Sequence, residues 1–198
     1  MGSVLAFDSF KEDFGLPTDS SGFASAKAAE VSSNDVSLLT AWCFFGAVAA
    51  SFLNERFGRR LSLMGFALIF LLGAALQTDS PRMLSFIYAG RVIAGLGVGG
   101  MSSITPVFGA ENAPAAVRGR VTGLFQEFLV FGTTVSYWLD YGVVRTIPKS
   151  SKQWRIPLGV QMILGGILFI GMIFLKESPR WLAKSGRHQD ALASLAYM

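Results

Sequence analysis

This chain of 198 residues is 52% apolar and only 15% charged, with a mean hydropathy of +0.48, which excludes an ordinary soluble domain. Its net charge of +4 does not point to nucleic acid, because the basic residues sit in short segments beside apolar runs and form no contiguous patch. Cys43 is the only cysteine, so an intrachain disulfide, and any metal site needing two thiolates from one chain, are excluded as well.

In chain order, residues 1–7 lack the basic and apolar regions of a cleavable signal and have the look of the last two turns of a helix. Ser9 with Glu12 forms a candidate capping box, and residues 18–33, rich in Ser, Ala and Gly, predict an exposed loop. Five apolar stretches follow, at 36–53, 61–76, 84–104, 121–139 and 156–175. Each approaches the 17 to 25 residues that carry a helix across about 30 Å of hydrocarbon. Only helices and closed barrels satisfy their backbone polar groups in lipid, so the expected fold is all-α and membrane-integrated. Ser80-Pro81 and Ser178-Pro179 read as N-cap and first helical residue of the third span and of a short helix ended by Gly186. Residues 187–198 predict a further surface helix within the tail, 176–198.

Loop charge suggests an orientation. Nine bases, at Arg56, Arg59, Arg60, Arg118, Arg120, Lys176, Arg180, Lys184 and Arg187, face seven on the other side, so the tail is expected in the cytoplasm. Five spans then leave residues 1–35 outside, and the simplest account is a sixth span preceding them.

Arg91 lies about a third of the way into its span, where a charge costs on the order of 3 kcal/mol and calls for a partner. Glu127 and Gln126 occupy the next span, but antiparallel geometry separates Glu127 from Arg91 by roughly 10 Å in depth. The acid for Arg91 is therefore expected outside this sequence, with snorkelling to the headgroups as the alternative. Gly95-Leu96-Gly97-Val98-Gly99-Gly100 contains a G-x-G-x-x-G string, yet no strand precedes it; small residues within an apolar span serve close helix packing instead of a dinucleotide. No cofactor is expected.

Taken together, several motifs resemble the sugar porters of the major facilitator superfamily, over nearly the whole chain. They are Arg56-Phe57-Gly58-Arg59-Arg60, Gly90-Arg91 with Gly95-x-Gly97-x-Gly99, Pro106-Val107-Phe108-Gly109-Ala110-Glu111 with Pro114, and Arg118-Gly119-Arg120. Gln126, Trp154-Arg155 and Glu177-Ser178-Pro179-Arg180-Trp181-Leu182 complete the set, and the stretch from Gln126 to Gly142 looks most like fungal hexose and quinate permeases. The resemblance implies the amino-terminal six-helix bundle of a twelve-helix transporter, its first helix truncated and its carboxy-terminal half absent. Asp8 then falls in the loop after that helix, and the acid paired with Arg91 falls before Met1. Glu55 stands for the usual acid of the loop after the second helix, Ala50 for its leading glycine, and Thr133 for a second glutamine of some sugar symporters.

The same resemblance implies a plasma-membrane carrier, not an enzyme, for a sugar or a related polyhydroxylated solute such as quinate, with a proton as co-substrate. Gln126 and Thr133 would contact solute, and Arg91 would take part in proton coupling. Glu55, Arg59, Arg60, Glu111, Arg118, Glu177 and Arg180 would form a cytoplasmic ion-pair network holding the outward-facing state. A non-transporting nutrient sensor on the same fold is the alternative, and a membrane oxidoreductase using the glycine string a distant third.

Overall fold

A computed structural model describes residues 7–15, 26–81, 83–114, 116–148 and 150–195. They form eight helices and, among the described residues, no strand: α1 (Asp8–Asp13), α2 (Ala26–Phe57), α3 (Arg59–Thr78), α4 (Leu84–Asn112), α5 (Arg118–Thr146), α6 (Lys152–Phe174), α7 (Pro179–Lys184) and α8 (His188–Leu195). The apolar runs mark where chain can lie in hydrocarbon, whereas the hydrogen-bonded helices continue past them into polar turns. The largest departure is α2, which takes in residues 26–33 of the segment expected to be loop. Asp8 likewise opens α1 and is not a loop residue. Ser9 is buried inside α1 and its hydroxyl makes no hydrogen bond, so it does not cap that helix.

Four of the described helices, α2, α3, α4 and α6, are long and apolar enough to cross a membrane. The fifth expected span lies in α5, which is 29 residues long but interrupted by Gln126, Glu127, Asp140 and Arg145 and falls short in apolarity. Only Asp140 and Val143 are buried on α5, which touches α4 and α6 lightly. The packed body is α4 between α2 and α3, with α6 against α3.

Glycines explain the tightness of that body. Asp35 meets Arg91, Leu39 meets Gly95 and Cys43 meets Gly99, so α2 and α4 run parallel and advance together one turn at a time. A methyl group added at Gly99 would collide with the backbone of Cys43, and one at Gly97 would lie 2.6 Å from the Phe70 amide nitrogen of α3. The glycine string is thus a two-sided packing face of α4. Gly99→Leu is expected to lower stability by roughly 1–3 kcal/mol through overpacking. Gly142→Leu, where an added Cβ meets nothing within 4 Å, should stay within about 0.5 kcal/mol. Thermal unfolding of the detergent-purified protein compares the two; equal losses would contradict the packing role.

Two apolar clusters close the ends of the body. At one end Phe10, Ala28, Ile87, Trp154 and Leu158 pack together, and Trp154 donates its indole N–H to Asp13 at 2.9 Å. At the other, Ala50, Leu63, Phe66, Ile104, Phe108 and Met172 join α2, α3, α4 and α6. Ser80 does not cap α4 as expected. The helix begins at Leu84 after Met83, while the buried Ser80 accepts a hydrogen bond on its carbonyl from Arg155 at 3.1 Å.

Candidate functional site: a buried ion pair and a charged helix-end cluster

Arg91 on α4 is paired within this chain. Its Nε lies 2.9 Å from Oδ2 of Asp35 on α2, and the two side chains are 4% and 1% exposed. The expectation that the acid lies outside the sequence is corrected here, for a definite reason. With the loop carried to residue 33 and the span begun at Val36, Asp35 falls at the surface. Because α2 starts at Ala26, Asp35 sits about 14 Å along that helix, at the level of Arg91, which sits about 10 Å along its parallel neighbour. An intramembrane arginine accompanied by a buried carboxylate is neutral as a unit, which removes most of the penalty either charge carries alone.

On α5, Gln126 and Thr133 are both exposed. Their spacing of two helical turns puts them on one face. The Thr133 hydroxyl donates to the Leu129 carbonyl at 2.9 Å, and neither residue lines the cavity of about 350 Å³ between α5 and α6. That cavity is mainly apolar, with Ser136, Asp140 and Gln161 as its polar groups. Sequence reasoning passed over all three; the buried position of Asp140 becomes visible only once α5 and α6 are packed.

The charged cluster forms where α2 ends, α3 begins and the chain leaves α6. Gly58 turns the chain in a single residue at φ +93°, and a Cβ there would come within 2.6 Å of the Glu177 carboxylate. Glu177 takes the role of helix cap that Gly58 has no side chain to fill. Its Oε1 accepts from the amides of Arg59 at 2.9 Å and Arg60 at 3.0 Å, and also from Ser178 at 3.0 Å. A carboxylate against the free amides and positive end of α3 is favourable on both counts.

Arg59 then reaches Glu111, near the end of α4, through two hydrogen bonds of 2.9 Å each, with side chains 14% and 10% exposed. Arg60 donates to the last carbonyls of α6, at Met172 and Ile173. Ser178 precedes Pro179 at the start of α7, as expected, but its hydroxyl makes no cap and donates to Glu111 at 2.6 Å. Of the expected network, the structure therefore joins Arg59, Glu111 and Glu177, and ties Arg60 to α6. Glu55 is set apart, meeting Lys184 at 3.4 Å with both side chains largely exposed. Among the described residues no ion pair links Arg118 or Arg180 to the cluster.

Comparison with known proteins shows the family. A family described as sugar (and other) transporter matches residues 1–198. A probable quinate permease of Neosartorya fischeri is 44% identical over 200 residues, covering 100% of this chain and 36% of the relative. The quinate permease of Neurospora terricola is 39% identical over 201 residues, covering 37% of that relative. The chain thus spans little more than a third of the length of these relatives. Among solved structures, the proton:xylose symporter XylE bound to 6-bromo-6-deoxy-D-glucose superposes with a TM-score of 0.81 at 23% identity, covering 98% of this chain and 46% of that one. A partially occluded inward-open form of XylE from E. coli also gives 0.81, over 50% of its chain. The fold is half of the major facilitator architecture, with helices made for a multi-pass membrane protein, and the chain belongs to the family described as sugar (and other) transporter.

Proposed function

We propose that this chain is the amino-terminal bundle of a plasma-membrane permease that carries a quinate-like or sugar-like polyhydroxylated solute together with a proton. The observation that carries the reading is the Asp35–Arg91 pair, held between two tightly packed helices inside the apolar body. Ionisable residues at such a place are costly and mark ion or proton pathways by default. The names of the relatives, quinate permeases and a proton:xylose symporter, support both the solute class and the coupling.

In this mechanism a proton reaching Asp35 neutralises the carboxylate and removes the Coulomb attraction that holds Arg91. The freed guanidinium favours a different packing of α2 against α4, and proton release restores the first. Solute binds toward the exposed face of α5, where Gln126 offers both a donor and an acceptor to hydroxyl groups and Thr133 a hydroxyl. The partner is a second helical bundle, against which this one rocks about a midplane site. On the opposite side of the body from the ion pair, the Arg59–Glu111–Ser178 contacts and the Glu177 cap tie α2, α3, α4 and α7 together in the outward-facing state.

Uptake of labelled quinate by a permease carrying this chain, in a cell stripped of its own sugar and quinate carriers, tests the reading. Acidifying the medium should raise the initial rate, and a protonophore should abolish accumulation above the outside concentration. Accumulation indifferent to the protonophore would exclude proton coupling. In the same assay Gln126→Ala is expected to weaken apparent affinity by roughly 1–3 kcal/mol, the worth of one or two hydrogen bonds. An unchanged half-saturation concentration would remove Gln126 from the solute site.

A further inference from the structure

The geometry points to a bound anionic phospholipid at the α2–α3 corner, its headgroup held by the tail of the chain. Two cavities adjoin there and share Phe57 and Leu61. One, of about 260 Å³, is an apolar cleft opening between α2 and α3 and lined by Leu53, Gly65, Phe66 and Ile69. The other, of about 380 Å³, mixes apolar and charged groups, and its charged lining is Arg60, Lys176, Glu177, Arg187 and Asp190. An apolar slot continuous with a charged one has the polarity of a lipid laid along the helices, acyl chain in the first and phosphate in the second.

The charge balance favours an anion. Glu177 already accepts three backbone amides, at Arg59, Arg60 and Ser178, and Asp190 is engaged by Arg187 at 2.8 Å. Arg60 is held in place by the Met172 and Ile173 carbonyls, so its guanidinium is fixed at the cavity without collapsing onto either acid. Three cations and two carboxylates thus line this space, a net charge of +1, with Glu177 turned to the backbone amides of α3. The depth is also right. The cavities sit at the one-residue turn between α2 and α3 and directly after α6 ends at Phe174, which is the headgroup level of a membrane spanned by those helices. Trp181, an interfacial residue type, lines the same space. Basic pockets between spanning helices on the cytoplasmic side are suited to acidic headgroups.

The test uses the full 198-residue chain in phosphatidylcholine nanodiscs containing a minor fraction of phosphatidylserine, followed by detergent release and native mass spectrometry. One retained phosphatidylserine per chain is expected, in preference to phosphatidylcholine. Lys176→Gln combined with Arg187→Gln should lower that preference about 25-fold, since each base near an anionic headgroup contributes about fivefold. Gly65→Leu should displace the lipid from the other end. An added Cβ at Gly65 meets nothing within 4 Å, so a larger side chain fills the cleft without disturbing the helix. Loss with the charge variant but not with Gly65→Leu would leave a bare anion site and overturn the lipid assignment. Equal retention of both lipids, or retention of none, would overturn it too, the latter assigning the cleft to a protein helix.

Discussion

Asp35→Ala is expected to destabilise the protein by about 3–5 kcal/mol, more than any truncation of an exposed charge, because it breaks a buried ion pair by removing one of its charges. The side chains are 1% and 4% exposed, so water can do little to replace the lost partner. Removing both charges should be far milder. Asp35→Leu with Arg91→Met replaces the pair by apolar groups of similar bulk, and such replacements are often neutral for stability. Thermal unfolding in detergent of the two single variants and the double therefore gives a strongly non-additive cycle. Additive losses would mean that the pair is not coupled. Function should follow the opposite pattern. Asp35→Asn keeps the shape but cannot take up and release a proton, so it should leave solute exchange intact while abolishing protonophore-sensitive accumulation. Arg91→Ala should also end accumulation, since it leaves Asp35 with no charge to release. Accumulation by either variant at the rate of the parent would refute the coupling role.

The helical body was legible because hydrophobicity over some twenty residues is set by the hydrocarbon itself, and α3, α4 and α6 contain the apolar runs at 61–76, 84–104 and most of 156–175. Helix ends were not legible, because a helix needs only internal hydrogen bonds and continues through Glu30, Ser32, Ser33, Asn34 and Asp35 once its neighbours pack on it. That single misplaced boundary hid the ion pair, since a residue read as surface is not sought as a buried partner. A usable signal was present in the recurrence of Asp35, Leu39 and Cys43 at one-turn spacing, which puts the acid on the face that meets the α4 glycines. The motif residues Arg59, Glu111 and Glu177 could be singled out from sequence, but not their division of labour. Glu177 acts on backbone amides and Ser178 on Glu111, relations that depend on which chain ends meet.

That division of labour sets the second large effect. Glu111→Ala is expected to cost about 2–4 kcal/mol, because it removes two charge-assisted hydrogen bonds from a mostly buried arginine and leaves the hydroxyl of the fully buried Ser178 without its acceptor. Glu55→Ala, in a residue 69% exposed and facing a lysine 70% exposed at 3.4 Å, should change stability by less than about 1 kcal/mol. Both acids belong to the set implied by family resemblance, so a role resting on motif alone would give them similar weight; burial and geometry separate them. In transport, loss of Glu111 frees α4 from α3 and α7 at this end and should shift the carrier toward its inward-open form. The change is readable as increased labelling of a cysteine introduced at Ser103 from the α7 side, after Cys43 is replaced by serine. The order Glu111 well above Glu55, in both stability and labelling, is the expected outcome. Comparable effects at the two positions would show that exposed charge, and not the buried Arg59–Glu111–Ser178 contact, holds this end together.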